Sequence, residues 1–181
     1  MAANVHYAET VRKIADLALA DAVEITVLVN LIKTQNTGGI NAELNKVGAG
    51  RAAMVFRNSL IARLVLLVDR AYAKPKHGDL HVQRAACLLK RQLSEFEAHW
   101  LKCRGDHRRP LIREFRDKYT AHLGEPKNIE PATYDELFGF AAATAEAMQL
   151  LALATRVAEQ RIETEPDLIN SPEAFWSPWK A

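Results

Sequence analysis

The run AMVFRNSLIARLVLLVDR, residues 53–70, can be read as a membrane span or as one helix of a water-soluble bundle, and the choice decides the fold. Arg57, Asn58, Ser59 and Arg63 interrupt it, so it falls short of the roughly 18 near-continuous apolar residues a span requires. No other stretch comes closer, and the opening residues MAANVHYAET lack the basic and apolar regions of a secretory signal. The run therefore predicts a helix, residues 51–73, with one apolar face, in a soluble and cytoplasmic protein that does not engage a membrane.

Working outward, helical periodicity dominates. Residues 5–34 place Ile14, Leu17, Asp21, Ile25, Leu28 and Ile32 near the 3.6-residue repeat. The segment TQNTGGIN ends that helix, with Gly38 and Gly39 free to adopt positive φ. Asp79 is placed to N-cap a third helix reaching Leu101. Pro110 suits the first turn of a short fourth helix that ends at His122 and Leu123, before Gly124 and Pro126. Thr133 and Glu136 have capping-box spacing and open a fifth helix, residues 134–162. No strand pattern is present. The expectation is an all-α, up-and-down bundle of about five helices in one domain, residues 1–163. A proline- and tryptophan-bearing tail, residues 164–181, follows; its Phe175, Trp176 and Trp179 are too apolar to stay in water and are expected to pack on the bundle or on a partner.

Composition narrows the function. With 181 residues, 49% hydrophobic and 25% charged, the chain can bury a core of its own. A formal charge of only +2 excludes a polycation, so affinity for nucleic acid has to come from a local patch. Cys87 and Cys103 form neither a CxxC pair nor a disulfide framework, which suits a reducing compartment.

That patch surrounds the fourth helix. Lys102, Arg104, Arg108, Arg109, Arg113, Arg116 and Lys118 face Asp106, Glu114 and Asp117, giving residues 102–118 a charge of +4 while the rest of the chain sums to −2. On the helix LIREFRDKYTAHL, Ile112, Phe115, Tyr119 and Leu123 form the apolar stripe. Arg116 and His122 flank it on opposite sides, about 120° apart and roughly 9 Å along the axis. Two such groups do not grip one atom from a single helix; a two-fold dimer burying the stripe would gather two arginines and two histidines. The alternative is a surface helix: His122 against the helix dipole and Arg113 paired with Asp117 four residues on.

The segment Arg116-Asp117-Lys118-Tyr119-Thr120-Ala121-His122 is an R-x5-H motif near the end of a late helix, preceded by ARLVLLVD on an earlier one. In this the chain resembles the HEPN superfamily, and most closely its abortive-infection, AbiU-type branch. The resemblance implies a metal-independent endoribonuclease, without cofactor, dimeric, with a composite site, acting as a toxin or phage-defence effector. It assigns Arg116 and His122 as the catalytic pair and Asp117 as their support, where asparagine is frequent in the family. The basic residues Lys102, Arg104, Arg108, Arg109, Arg113 and Lys118 would bind RNA; expected partners are RNA, a second copy and an antitoxin protein. The chemistry suits these types: RNA supplies its own 2′-OH nucleophile, histidine moves protons near neutral pH, and arginine's fork matches phosphorane oxygens. The alternative is a catalytically silent HEPN-like module binding RNA, nucleotide or protein.

Three rival sites remain open. His99, Cys103 and His107 share the i, i+4, i+8 spacing of metal ligands but lack a fourth, and metal binding is not expected. VGAGR resembles a phosphate loop without its lysine and reads better as a flexible helix start. Arg63 and Arg70, a heptad apart, either snorkel from an apolar helix, the preferred reading, or line the same groove as Arg116.

Overall fold

A computed structural model describes residues 2–37, 39–74, 76, 79–89, 94–117, 133–162 and 166–180, with side chains for all of these except 2–6, 94 and 169. Among them there is no strand. Eight helices follow one another: α1 (Ala2–Gln35), α2 (Ile40–Lys46), α3 (Gly50–Ala71), α4 (Val82–Leu89), α5 (Ser94–Gly105), α6 (Arg108–Arg116), α7 (Tyr134–Ala154) and α8 (Pro166–Trp176), closed by a 3-10 turn at Ser177–Trp179. The all-α class is as expected, and the described residues hold eight helices where about five were expected.

The bundle is organised on α1 and α7. In α1, with neither glycine nor proline, Val11, Ile14, Ala15, Ala18, Ala22, Ile25, Val29 and Ile32 recur every three or four residues and are buried. Leu17, assigned to that stripe, is 46% exposed, because the buried face runs through Ala15 and Ala18 instead. Small residues there let α7 approach closely. Opposite them α7 buries residues nearly all round, from Leu137 and Phe138 to Leu151 and Ala152, against α1, α3, α5 and α6. By length and composition α7, rather than α3, is apolar enough to cross a membrane, yet most of that run lies inside the bundle. Its apolarity is that of a central helix, wrapped on several sides.

Local chemistry explains its ends. The Thr133–Glu136 capping box forms as the spacing requires: the Glu136 N–H donates to Thr133 Oγ1 at 3.2 Å, and Thr133 N–H to Glu136 Oε2 at 2.8 Å. The helix stops at Ala154 rather than near 162. Arg156 takes φ 56°, the left-handed conformation usual for a C-terminal glycine, and Val157 N–H returns to the Ala152 carbonyl at 2.9 Å. The returning chain is then tied down by a bond from Ile162 N–H to Gln149 Oε1 at 3.1 Å.

Two further expectations are corrected. Helix α2 occupies part of the anticipated loop, its Ile40 and Leu44 building a second small core with Trp176. Over the helix expected from Asp79 to Leu101 the described residues form α4 and α5, and residues 90–93 between them lie outside the described residues. Asp79 does not cap: its carboxylate accepts from Lys76 N–H at 3.0 Å, while the first turn of α4 is served by the His81 carbonyl. The tail carries α8, whose Trp176 is buried and donates from Nε1 to the Leu31 carbonyl of α1 at 3.0 Å. Phe175, expected to be shielded, is 54% exposed, stacked on Phe56 at 5.9 Å.

Candidate nucleic-acid cleft

Helix α6 is anchored by its inner face. Ile112 is buried and Phe115 packs against the main core, which sets Arg116 at the last turn against the C-terminal turn of α3. There Arg116 Nη1 donates to Asp69 Oδ2 at 2.5 Å, and Nε donates to Asp117 Oδ1 at 2.9 Å. Asp117, first, and then the charge of Asp69 push the guanidinium pKa above its ordinary value, partly opposed by burial. Arg116 is thus a fixed cation with 30% of its side chain exposed. The expected surface pair Arg113–Asp117 is replaced, because Asp117 at the helix C-cap turns to its neighbour Arg116. His122 and Lys118 lie outside the described residues, as do Tyr119 and Leu123 of the apolar stripe.

Arg116 opens onto a cleft of about 230 Å³ lined by Arg63, Leu66, Leu67, Asp69, Arg70 and Arg116. Of the two readings of Arg63 and Arg70, the shared groove therefore describes their position, and snorkelling describes their half-exposed side chains. Both reach across to α1. Arg63 grips Glu24 with two bonds, Nε to Oε1 at 2.6 Å and Nη2 to Oε2 at 2.7 Å; Arg70 Nη2 bonds both oxygens of Asp21. The fork of Arg63 holds the Glu24 carboxyl below its usual range. The pairing 24 with 63 and 21 with 70 runs in opposite chain directions, so α1 and α3 are antiparallel here. Three guanidiniums thus meet four carboxylates, Asp21, Glu24, Asp69 and Asp117, a formal balance of −1.

The basic residues of α5 and α6 divide into two groups. Lys102, Arg104 and Arg113 are exposed. Arg108 is not at the surface in the same sense: it forks onto Asp106, Nε to Oδ1 at 2.9 Å, and lies 5.8 Å from the centre of the Phe140 ring. Gly139 makes room for it, since a Cβ there would stand 2.6 Å from Arg108 Nη1. Arg109 sits over the Tyr72 ring at 5.1 Å, and Tyr72 in turn stacks on buried Trp100 at 4.7 Å and bonds Thr144 Oγ1 at 2.9 Å.

The rival sites have other occupations. His99 Nε2 and Cys103 Sγ both contact the Ala143 carbonyl, at 2.9 and 3.5 Å, and burial raises the thiol pKa. His107 is 83% exposed beside Asp106, and no group of three potential metal ligands occurs among the described residues. In VGAGR, Gly48 has φ 75° and Gly50 opens α3 under Asn45, whose Oδ1 would be 1.8 Å from a Cβ; the glycines make the helix start possible.

Sequence reading missed Asp69, Asp21 and Glu24. Asp69 is the acid closing the otherwise apolar LVLLVD, and Asp21 interrupts the apolar stripe of α1; an acid in an apolar face is the signal each offered.

A family model, HEPN_AbiU2, described as AbiU2, matches residues 8–160. Neither the curated proteins nor the solved structures give a match.

Proposed function

The chain belongs to the AbiU2 family of HEPN domains, and from that premise we propose that it is a metal-independent endoribonuclease of abortive-infection type, with Arg116 and His122 as its catalytic pair. The supporting observation is Arg116 itself, a permanently charged fork at the mouth of a solvent-open cleft. Arg116 stabilises the non-bridging oxygens as the 2′-OH attacks, and His122 moves the protons. The products are a 2′,3′-cyclic phosphate and a 5′-hydroxyl. Asp117 orients Arg116 through Nε. A second copy brings a second Arg116 and His122, and the exposed Lys102, Arg104 and Arg113 draw RNA in, a role that Lys118 shares. In the cell this activity is that of a cytoplasmic toxin or defence effector held in check by an antitoxin protein.

Incubating wild type and His122→Ala with total RNA in EDTA tests this. Cleavage by wild type and its loss in a folded His122→Ala protein are expected. Cleavage that needs a divalent metal, or that survives His122→Ala, refutes it. One observation favours the second reading, a silent RNA-binding module: both partners of Arg116 described above are carboxylates, and they occupy the fork a phosphate would need. That module binds RNA under the same conditions and leaves it intact.

A further inference from the structure

Helix α3 shows the cleft a repeating face. Arg63, Leu66 and Arg70 follow at i, i+3 and i+7, which puts them in one row. Leu66 is 44% exposed between two cations, an apolar side chain that the fold leaves partly uncovered. The row alternates charge, apolar surface and charge, as a single strand of RNA alternates phosphate, ribose and phosphate. Arg63 already holds a carboxylate through the fork that also fits a phosphate, and Arg70 holds one through Nη2 alone.

We propose that Arg63, Leu66 and Arg70 form a subsite for the single-stranded RNA backbone next to Arg116, and that Glu24 and Asp21 of α1 occupy it as internal phosphate mimics until RNA displaces them. The proposal rests on the reading of RNA as substrate and adds where the strand lies. Arg63 and Arg70 each take a phosphate, and Leu66 covers the intervening sugar. This directs the next phosphate towards Arg116, which lines the same cleft. The subsite is distinct from the exposed residues Lys102, Arg104 and Arg113, which belong to α5 and α6.

The test is fluorescence anisotropy with the full chain and a labelled 2′-O-methyl oligonucleotide, which has no free 2′-OH to attack, titrated at several salt concentrations. Arg63→Gln with Arg70→Gln should weaken binding at least tenfold and flatten the slope of log affinity against log salt by about 1.4, the value for two phosphate contacts on a single strand. Glu24→Gln, which keeps an oxygen for Arg63 but removes the competing charge, should tighten binding severalfold. Lys13→Gln, at an exposed pair with Glu9 elsewhere on α1, should change nothing. Wild-type affinity and slope in the double variant overturn the proposal, as does unaltered affinity in Glu24→Gln, which also decides the matter if the double variant melts early.

The same proteins with all-ribose RNA in EDTA separate the two readings. Salt-sensitive binding through Arg63 and Arg70 without cleavage keeps the subsite and refutes the nuclease. Cleavage with an unchanged KM in the double variant keeps the nuclease and refutes the subsite.

Discussion

Replacing Asp117 by asparagine changes one atom's identity and one charge, and the site's geometry says what should follow. Arg116 approaches Asp117 Oδ1 from Nε and Nη2, so an asparagine oxygen can keep both bonds while the negative charge disappears. A phosphate seated on the Arg116 fork would lie roughly 6 Å from the Asp117 carboxylate, where repulsion is about 0.7 kcal/mol at the dielectric of water and about 2.8 kcal/mol at an effective value of 20. With 51% of its side chain exposed, Asp117 belongs towards the screened end. About 1 kcal/mol follows, or about fivefold tighter RNA binding and a KM lowered by the same factor. Stability should move the other way and only slightly: a partly exposed ion pair contributes at most about 1 kcal/mol, worth roughly 2–4 °C in a chain of this size. Anisotropy with non-cleavable RNA and a thermal melt on the same protein measure both. Unchanged or weaker binding, with the melt inside that range, would show that no phosphate sits on Arg116.

Three further outcomes test the scaffold. Trp176→Ala removes a buried indole and its bond to the Leu31 carbonyl; the loss should be roughly 4 kcal/mol, or a melting point lower by roughly 8–16 °C, whereas Trp176→Phe should cost clearly less. Thr133→Ala should lower stability to urea by about 1 kcal/mol and Thr133→Ser restore it, because the hydroxyl serves the first turn of the central helix. His81 is buried, neither ring nitrogen has a hydrogen-bond partner among the described residues, and burial depresses its pKa against a smaller opposing pull from Asp79. Its contribution is therefore complete above the unfolded pKa of about 6.5 and is lost as pH falls from there through the lower folded value. Unfolding free energies at pH 7 and pH 5 should differ less in His81→Gln than in wild type.

What could be read from the sequence was governed by how local its cause is. The all-α class and the capping box at Thr133 and Glu136 depend on spacings of a few residues; the expected end of the fourth helix, at His122 and Leu123, lies outside the described residues. The end of α7 did not show, because Arg156 adopts a left-handed turn that a glycine would have advertised. Helix α2, of seven residues, is too short to display a period. The partners that define the cleft were hidden for another reason. Asp69 stands 47 residues before Arg116, and Asp21 stands 49 before Arg70, so their pairing exists only once α1, α3 and α6 have packed. Arg108 and Arg109 have contacts that their place in the basic patch did not foretell. Arg108 forks onto Asp106 and lies against the Phe140 ring, and Arg109 lies over the face of Tyr72.

The bond between Trp176 and Leu31 spans 145 residues of chain, and that separation sets a clock on the ribosome. Translation at about 5–20 residues per second leaves roughly 7–30 s between the synthesis of Leu31 and that of Trp176. Through most of that interval α1 has neither α7 nor α8 to cover its buried face. Native contacts across so long a loop also slow folding relative to a bundle of neighbouring hairpins. Newly made chains should therefore pass through a chaperone-dependent stage in which α1 is present but uncovered, and a stop codon placed before α7 should lengthen that stage into aggregation.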